Sequence, residues 1–174
     1  RNRFEKACAI PEAVACWRLG EMKIRGQGGP YDRDAAAAHF EQACNAEIAE
    51  GCRAMVDQQM RRAMSVYGKK RRAAEKKAAE IADRACALGS LKGCAQQARS
   101  YGYRWRSKRA DIKQATSIAQ RTCQNGGVDA CRVWAALLIR NGSATKKDSQ
   151  RQALSLVRGL CANGHHQACL TLVD

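Results

Sequence analysis

Apolar residues recur along this chain in steps that suit one face of a helix. The clearest stretch runs Ala15-Cys16-Trp17-Arg18-Leu19-Gly20 and continues to Met22 and Ile24. Gly26-Gln27-Gly28-Gly29-Pro30 then breaks the pattern. A second helix is predicted over 35–44, with Phe40 inward and Asp32 or Asp34 available as its cap. A short loop from Asn45 to Gly51 leads to Cys52, where the next helix is expected to open. The plan is therefore helix A, turn, helix B, short loop. Later segments keep it: Cys86-Ala87-Leu88-Gly89, Cys123-Gln124-Asn125-Gly126 and Cys161-Ala162-Asn163-Gly164 each place a glycine three residues after a cysteine. That position suits a left-handed helix C-cap. Asn141-Gly142 is read as a turn between a helix over 132–140 and one from about 149 to 161.

Composition sharpens this picture. Alanine is abundant and there are two prolines, which favours helix over strand. Hydrophobic residues make up 45% of the 174, enough for a core and too many for a disordered chain. No run approaches the length of a membrane-spanning helix, about 18 apolar residues. No charged-then-apolar signal segment opens the chain at Arg1, so secretion would require one already removed.

The ten cysteines set the period. They form five pairs, Cys8/Cys16, Cys44/Cys52, Cys86/Cys94, Cys123/Cys131 and Cys161/Cys169, each with members eight positions apart. The second members follow one another at steps of 36, 42, 37 and 38, the period of a repeat array. Three chemistries compete for such pairs. Zinc sites place cysteines two to four residues apart and would draw on the three histidines. Free buried thiols pack as small hydrophobes but need no partner at fixed spacing. Disulfides fit a tight turn between antiparallel helices, which brings such residues within the usual bridging distance of about 5.5 Å. Each bridge would contribute roughly 2.6 kcal/mol by loop entropy. Five bridges persist only in an oxidising compartment. The reading is a single array over 1–174, with a partial repeat at 1–15, repeats at 16–51, 52–93, 94–130 and 131–168, and a partial repeat at 169–174. Solenoids usually carry polar capping helices. A chain that starts in a B helix and stops in an A helix is then expected to be a piece of a longer array, or to be capped by partners.

The segment Ala15-x-x-x-Leu19-Gly20, Gly26-x-Gly28, Asp32, Ala36, Phe40-x-x-Ala43 resembles the Sel-one-like repeat, a cousin of the tetratricopeptide repeat. The cysteine pairs, with small residues before most of the cysteines, resemble the cysteine-rich branch that includes secreted Helicobacter cysteine-rich proteins. The resemblance implies an all-α fold, an α/α solenoid with a right-handed superhelix built of disulfide-linked helix hairpins. It also implies a scaffold for binding, with fold a poor guide to specific function. The chain departs from the consensus at Lys23 and His39, where aromatics are usual, and around Tyr67-Gly68-Lys69-Lys70, where Gly-x-Gly is absent. A mitochondrial intermembrane-space branch shares the pattern, as an alternative to a periplasmic or secreted location.

Charge is the strongest functional signal. The net charge is +15. Residues 61–77 carry Arg61, Arg62, Lys69, Lys70, Arg71, Arg72, Lys76 and Lys77 against Glu75 alone. Residues 99–113 carry Arg99, Arg104, Arg106, Lys108, Arg109 and Lys113 against Asp111. Both runs are expected in the A–B turns of successive repeats, which stack along one edge, so they should form one basic patch opposite the disulfides. Tyr67, Tyr101, Tyr103 and Trp105 are interleaved with them, a mixture suited to anions and stacking partners. A solvated charged turn over packed tyrosines is the plainer alternative. Nucleic acid fits the charge, but no nucleic-acid-binding signature is present and the compartment is wrong. The expected partner is an acidic protein or peptide, or an anionic envelope polymer or lipid headgroup.

Catalysis finds little support. Some relatives are described as penicillin-binding or weakly β-lactamase-like, and one Ser-x-x-Lys string occurs, Ser143-Ala144-Thr145-Lys146. It lies in a turn, with no Ser-Asp-Asn or Lys-Thr-Gly beside it. Bridged cysteines are not nucleophiles. His165-His166 read as exposed loop residues and His39 as a packing residue; no metal or cofactor is expected. Trp17, Trp134, Leu137 and Leu138 lie on A helices and read mostly as core. The leading expectation is an extracytoplasmic binding or scaffold module presenting its A helices and a basic edge. The alternatives are a structural subunit of a larger envelope complex and, less favoured, a cell-wall or β-lactam hydrolase.

Overall fold

The computed structural model describes residues 2–9, 13–102, 109–140 and 145–164. The elements found among them are α-helices: α1 (Asn2–Ala9), α2 (Ala13–Arg25), α3 (Arg33–Asn45), α4 (Ala49–Met64), α5 (Gly68–Ala87), α6 (Leu91–Gly102), α7 (Arg109–Gln124), α8 (Val128–Arg140) and α9 (Lys146–Ala162). They gather into two compact units, Arg1–Gly93 and Cys94–Asp174.

In the first unit each helix packs on the next, from α1 on α2 to α4 on α5. Small residues allow the close approach. Phe40 of α3 is 1% exposed and lies against Gly20 of α2, where an added Cβ would come within 2.6 Å of the ring. Trp17, Ile24, Ala36, Ala54 and Met55 complete this cluster. α5 buries a seam of alanines, Ala74, Ala78, Ala82 and Ala85, spaced for one helix face. Ala78 and Ala82 meet Val56 of α4. In the second unit α8 packs on both α7 and α9. Its core joins Ala98 of α6, Ile118 and Ala119 of α7, Trp134 and Leu137 of α8, and Val157 and Leu160 of α9.

Helix starts lie earlier than the sequence pattern places them. α4 and α6 begin three residues ahead of Cys52 and Cys94, not at the cysteines, and α8 begins at Val128, not at 132. Side-chain caps explain two of the shifted starts. Ser90 Oγ accepts from Gly93 N at 3.1 Å at the start of α6, and Thr145 Oγ1 accepts from Asp148 N at 3.1 Å at the start of α9. Asp32, the nearer of the two predicted caps of α3, accepts from Ala35 N at 2.9 Å.

The turn before α5 is also shorter than expected. α4 ends at Met64 and α5 opens at Gly68, so Lys69 and Lys70 belong to a helix, not a turn. The alanine seam carries the helix back to this point, and Arg71–Glu75 and Lys76–Glu80 pairs at 2.8 and 3.7 Å support it one turn apart.

Candidate functional site

The B-to-A junctions share one backbone design. After α3, Ala46 N donates to Gln42 O, Glu47 N to Cys44 O and Ile48 N to Ala43 O, at 3.1, 3.0 and 3.0 Å. After α5, Leu88, Gly89 and Ser90 donate to Arg84, Cys86 and Ala85 in the same register, and after α7, Asn125, Gly126 and Gly127 donate to Arg121, Cys123 and Thr122. These are Schellman motifs, which need a left-handed residue just beyond the helix. Gly89, Gly126 and Gly164 hold φ at 89°, 93° and 85°. Glu47 takes the same position without being glycine, at φ 62°.

The reversal delivers the cysteines to each other. Cys8 bridges Cys16, Cys44 bridges Cys52 and Cys123 bridges Cys131, with Cα separations of 4.7, 4.4 and 4.7 Å. Cys86, Cys94 and Cys161 are disulfide-bonded as well, while Cys169 lies outside the described residues. Gly51 makes the second bridge possible: a Cβ there would lie 2.6 Å from Ala43 Cβ and 2.8 Å from Cys44 N. Cysteines held as disulfides offer neither a nucleophile nor a thiolate ligand. Among the described residues no group of His, Cys, Asp and Glu could hold a metal ion.

The cations of the first unit converge on the α4–α5 corner. Arg61 and Arg62 sit in the last turn of α4, and Lys69, Lys70, Arg71 and Arg72 surround the first turn of α5. All are exposed, as are Lys76 and Lys77. Arg71 pairs with Glu75 and Lys76 with Glu80, whereas Arg61, Arg62, Lys69, Lys70, Arg72 and Lys77 meet no carboxylate among the described residues. α5 begins with no acidic residue in its first turn and no side-chain cap. Its positive dipole end therefore adds to the field of the cations rather than opposing it. Met64 is 69% exposed and Tyr67 85% exposed at the same corner, with Met60 one turn before Met64 on α4.

The second basic run is described only at its ends. Arg99 on α6 and Lys113 on α7 are exposed, and Tyr101 packs against the core. Arg104, Arg106 and Lys108, with Tyr103 and Trp105, lie outside the described residues, and Arg109 is placed only as the first residue of α7.

The other singled-out residues have structural surroundings. Trp134 and Leu137 are core residues of the second unit, with Leu138 packed against them. Trp17 is half-buried, and the Arg18 guanidinium lies 4.3 Å from its ring centroid. The indole N–H groups of Trp17 and Trp134 are buried with no hydrogen-bond partner among the described residues. His39 Nδ1 lies 3.2 Å from Gln42 Oε1 and 3.8 Å from Cys8 Sγ, a packing contact across two helices. His165 and His166 lie outside the described residues, as does Ser143. Thr145 and Lys146 of the Ser-x-x-Lys string form the cap and first residue of α9.

Two features were not anticipated. Arg53 joins α2 to α4, 3.8 Å from Glu21 and 2.9 Å from Asp57, while Arg25 pairs with the same Glu21 at 2.8 Å. The pattern of i,i+4 charges hinted at its intrahelical halves, but the bridge across helices needs the fold. Arg3, Phe4, Val14, Arg18 and Ile48 line an open groove of about 720 Å³ beside α1 and α2.

No protein-family model matches the chain, and no curated protein sequence matches it. Among solved structures, the crystal structure of a Sel1 repeat protein from Oxalobacter formigenes superposes with a TM-score of 0.69 at 20% identity. The match covers 95% of this chain and 64% of that one, so the chain spans just under two thirds of the length of the neighbour.

Proposed function

We propose that this chain, which has the all-α solenoid fold of a Sel1 repeat protein, is an interaction module that holds an anionic partner at the α4–α5 corner. The general role follows the resemblance to Sel-one-like repeats, which implies a scaffold for binding, and the Sel1 repeat fold agrees with it. Intramolecular disulfides support an oxidising, extracytoplasmic setting, periplasmic or secreted. No helix among the described residues is long and apolar enough to cross a membrane.

The observation that carries the reading is the set of six exposed cations at or near the corner that have no carboxylate neighbour among the described residues. Lys69, Lys70 and Arg72 gather where the α5 dipole has their own sign, which raises the energy of the free protein, and an anion relieves it; Arg61 and Arg62, at the C-terminal end of α4, add to the positive charge of the corner. The second basic run, with Arg104, Arg106, Lys108 and Arg109, would supply further positive charge to such a partner. The test is binding to an acidic polypeptide across a salt series. Charge reversal at Arg71, Arg72, Arg106 and Arg109 should weaken binding and flatten its salt dependence. An unchanged affinity with an unchanged salt slope would remove the basic residues from the function.

A further inference from the structure

We infer that the α4–α5 corner is a docking point for an anionic lipid surface, with phosphate headgroups met by its cations and Met60, Met64 and Tyr67 seated at the apolar boundary. The inference rests on the anionic-partner reading above and narrows it to one partner.

Shape separates a bilayer from an acidic protein groove. Residues 67–73 are all exposed, so the first turn of α5 has no inward face and stands clear of the packed body. Its cations therefore point outward in several directions from a convex tip instead of lining a cleft. A headgroup layer, which is broad and laterally mobile, can satisfy such a tip from all sides at once.

The apolar residues point the same way. Met60 and Met64 are one turn apart on α4, and Tyr67 follows as the residue that opens α5. All three are exposed, the last two strongly, and they are flanked by Arg61, Arg62, Lys69 and Lys70. An acidic polypeptide gives a purely ionic tip no reason to expose methionines and a tyrosine. A membrane interface does, because tyrosine settles at the headgroup level and thioethers enter the acyl boundary while the cations hold phosphates. Arg and Lys stems add apolar length below their charged heads.

The experiment is co-sedimentation of the full chain with sucrose-loaded vesicles of phosphatidylcholine alone or mixed with phosphatidylglycerol, beside binding to soluble polyglutamate. The parent chain should bind the mixed vesicles and not the neutral ones. The variant K69Q/K70Q/R72Q, which breaks no ion pair among the described residues, should lose about a hundred-fold in vesicle partition, from roughly five-fold per cation. The variant Met64→Ser with Tyr67→Ser should lose about ten-fold on vesicles and leave polyglutamate binding unchanged. Far-UV circular dichroism confirms that each variant is folded. Vesicle binding insensitive to Met64→Ser with Tyr67→Ser, or equal binding to neutral vesicles, would overturn the inference. Charge-dependent polyglutamate binding without vesicle binding would overturn it while leaving the anionic-partner reading intact. Binding to neither would overturn both.

Discussion

Replacing Glu47 by glycine should stabilise the protein. Glu47 closes the α3 C-terminus at φ 62°, the position filled by glycine after α5, α7 and α9. Left-handed backbone costs an L-residue with a Cβ roughly 1–2 kcal/mol. Glycine removes that cost but adds unfolded-state freedom, which returns about 0.5–1 kcal/mol. The net gain is therefore about 0.5–1 kcal/mol. The Glu47 side chain is exposed and pairs with nothing among the described residues, so little else is lost. Urea unfolding followed by circular dichroism should show the midpoint rising by about 0.4 M. Glu47→Ala is the control: it removes the same charge but keeps the Cβ in the same strained backbone, so its midpoint should stay near the parent. Equal shifts for the two variants would mean that charge, not backbone, sets the effect, and would refute the reasoning.

Gly89→Ala should cost about 1 kcal/mol in urea unfolding through its φ of 89°, since nothing lies within 4 Å of the added methyl group. Gly51→Ala should cost roughly 1–3 kcal/mol for the opposite reason: its backbone is ordinary, but the methyl group collides with Ala43 and Cys44. The pair Cys44→Ala with Cys52→Ala should lose about 2.6 kcal/mol, read as the midpoint difference from the parent under non-reducing conditions.

The cysteine spacing made the junctions legible, because an eight-residue interval leaves room for one helix end, one reversal and one helix start. Gly89, Gly126 and Gly164 announced their left-handed role by residue type. Glu47 did not, since only its position relative to Cys44 marks it. The start of α5 was misread for a related reason. Gly68 and four successive cations look like a turn, and the alanines that bury this helix begin only at Ala74. Gly51 looked like a loop residue, and its contact with the preceding helix is a tertiary fact with no local signal. The basic residues were legible as charge. Their partition between helix ends, and the methionine and tyrosine exposed beside them, required the packing of α4 on α5.

The array stands on a bridge between cysteines eight residues apart that closes each helix hairpin. Intact mass without reductant, followed by a non-reducing peptide map, tests it most directly. The expected mass is ten hydrogens below that of the reduced chain, one for each cysteine, with Cys8 joined to Cys16, Cys44 to Cys52 and Cys123 to Cys131. Free thiols in protein kept at its native redox state, or bridges between repeats such as Cys16 to Cys44, would contradict it.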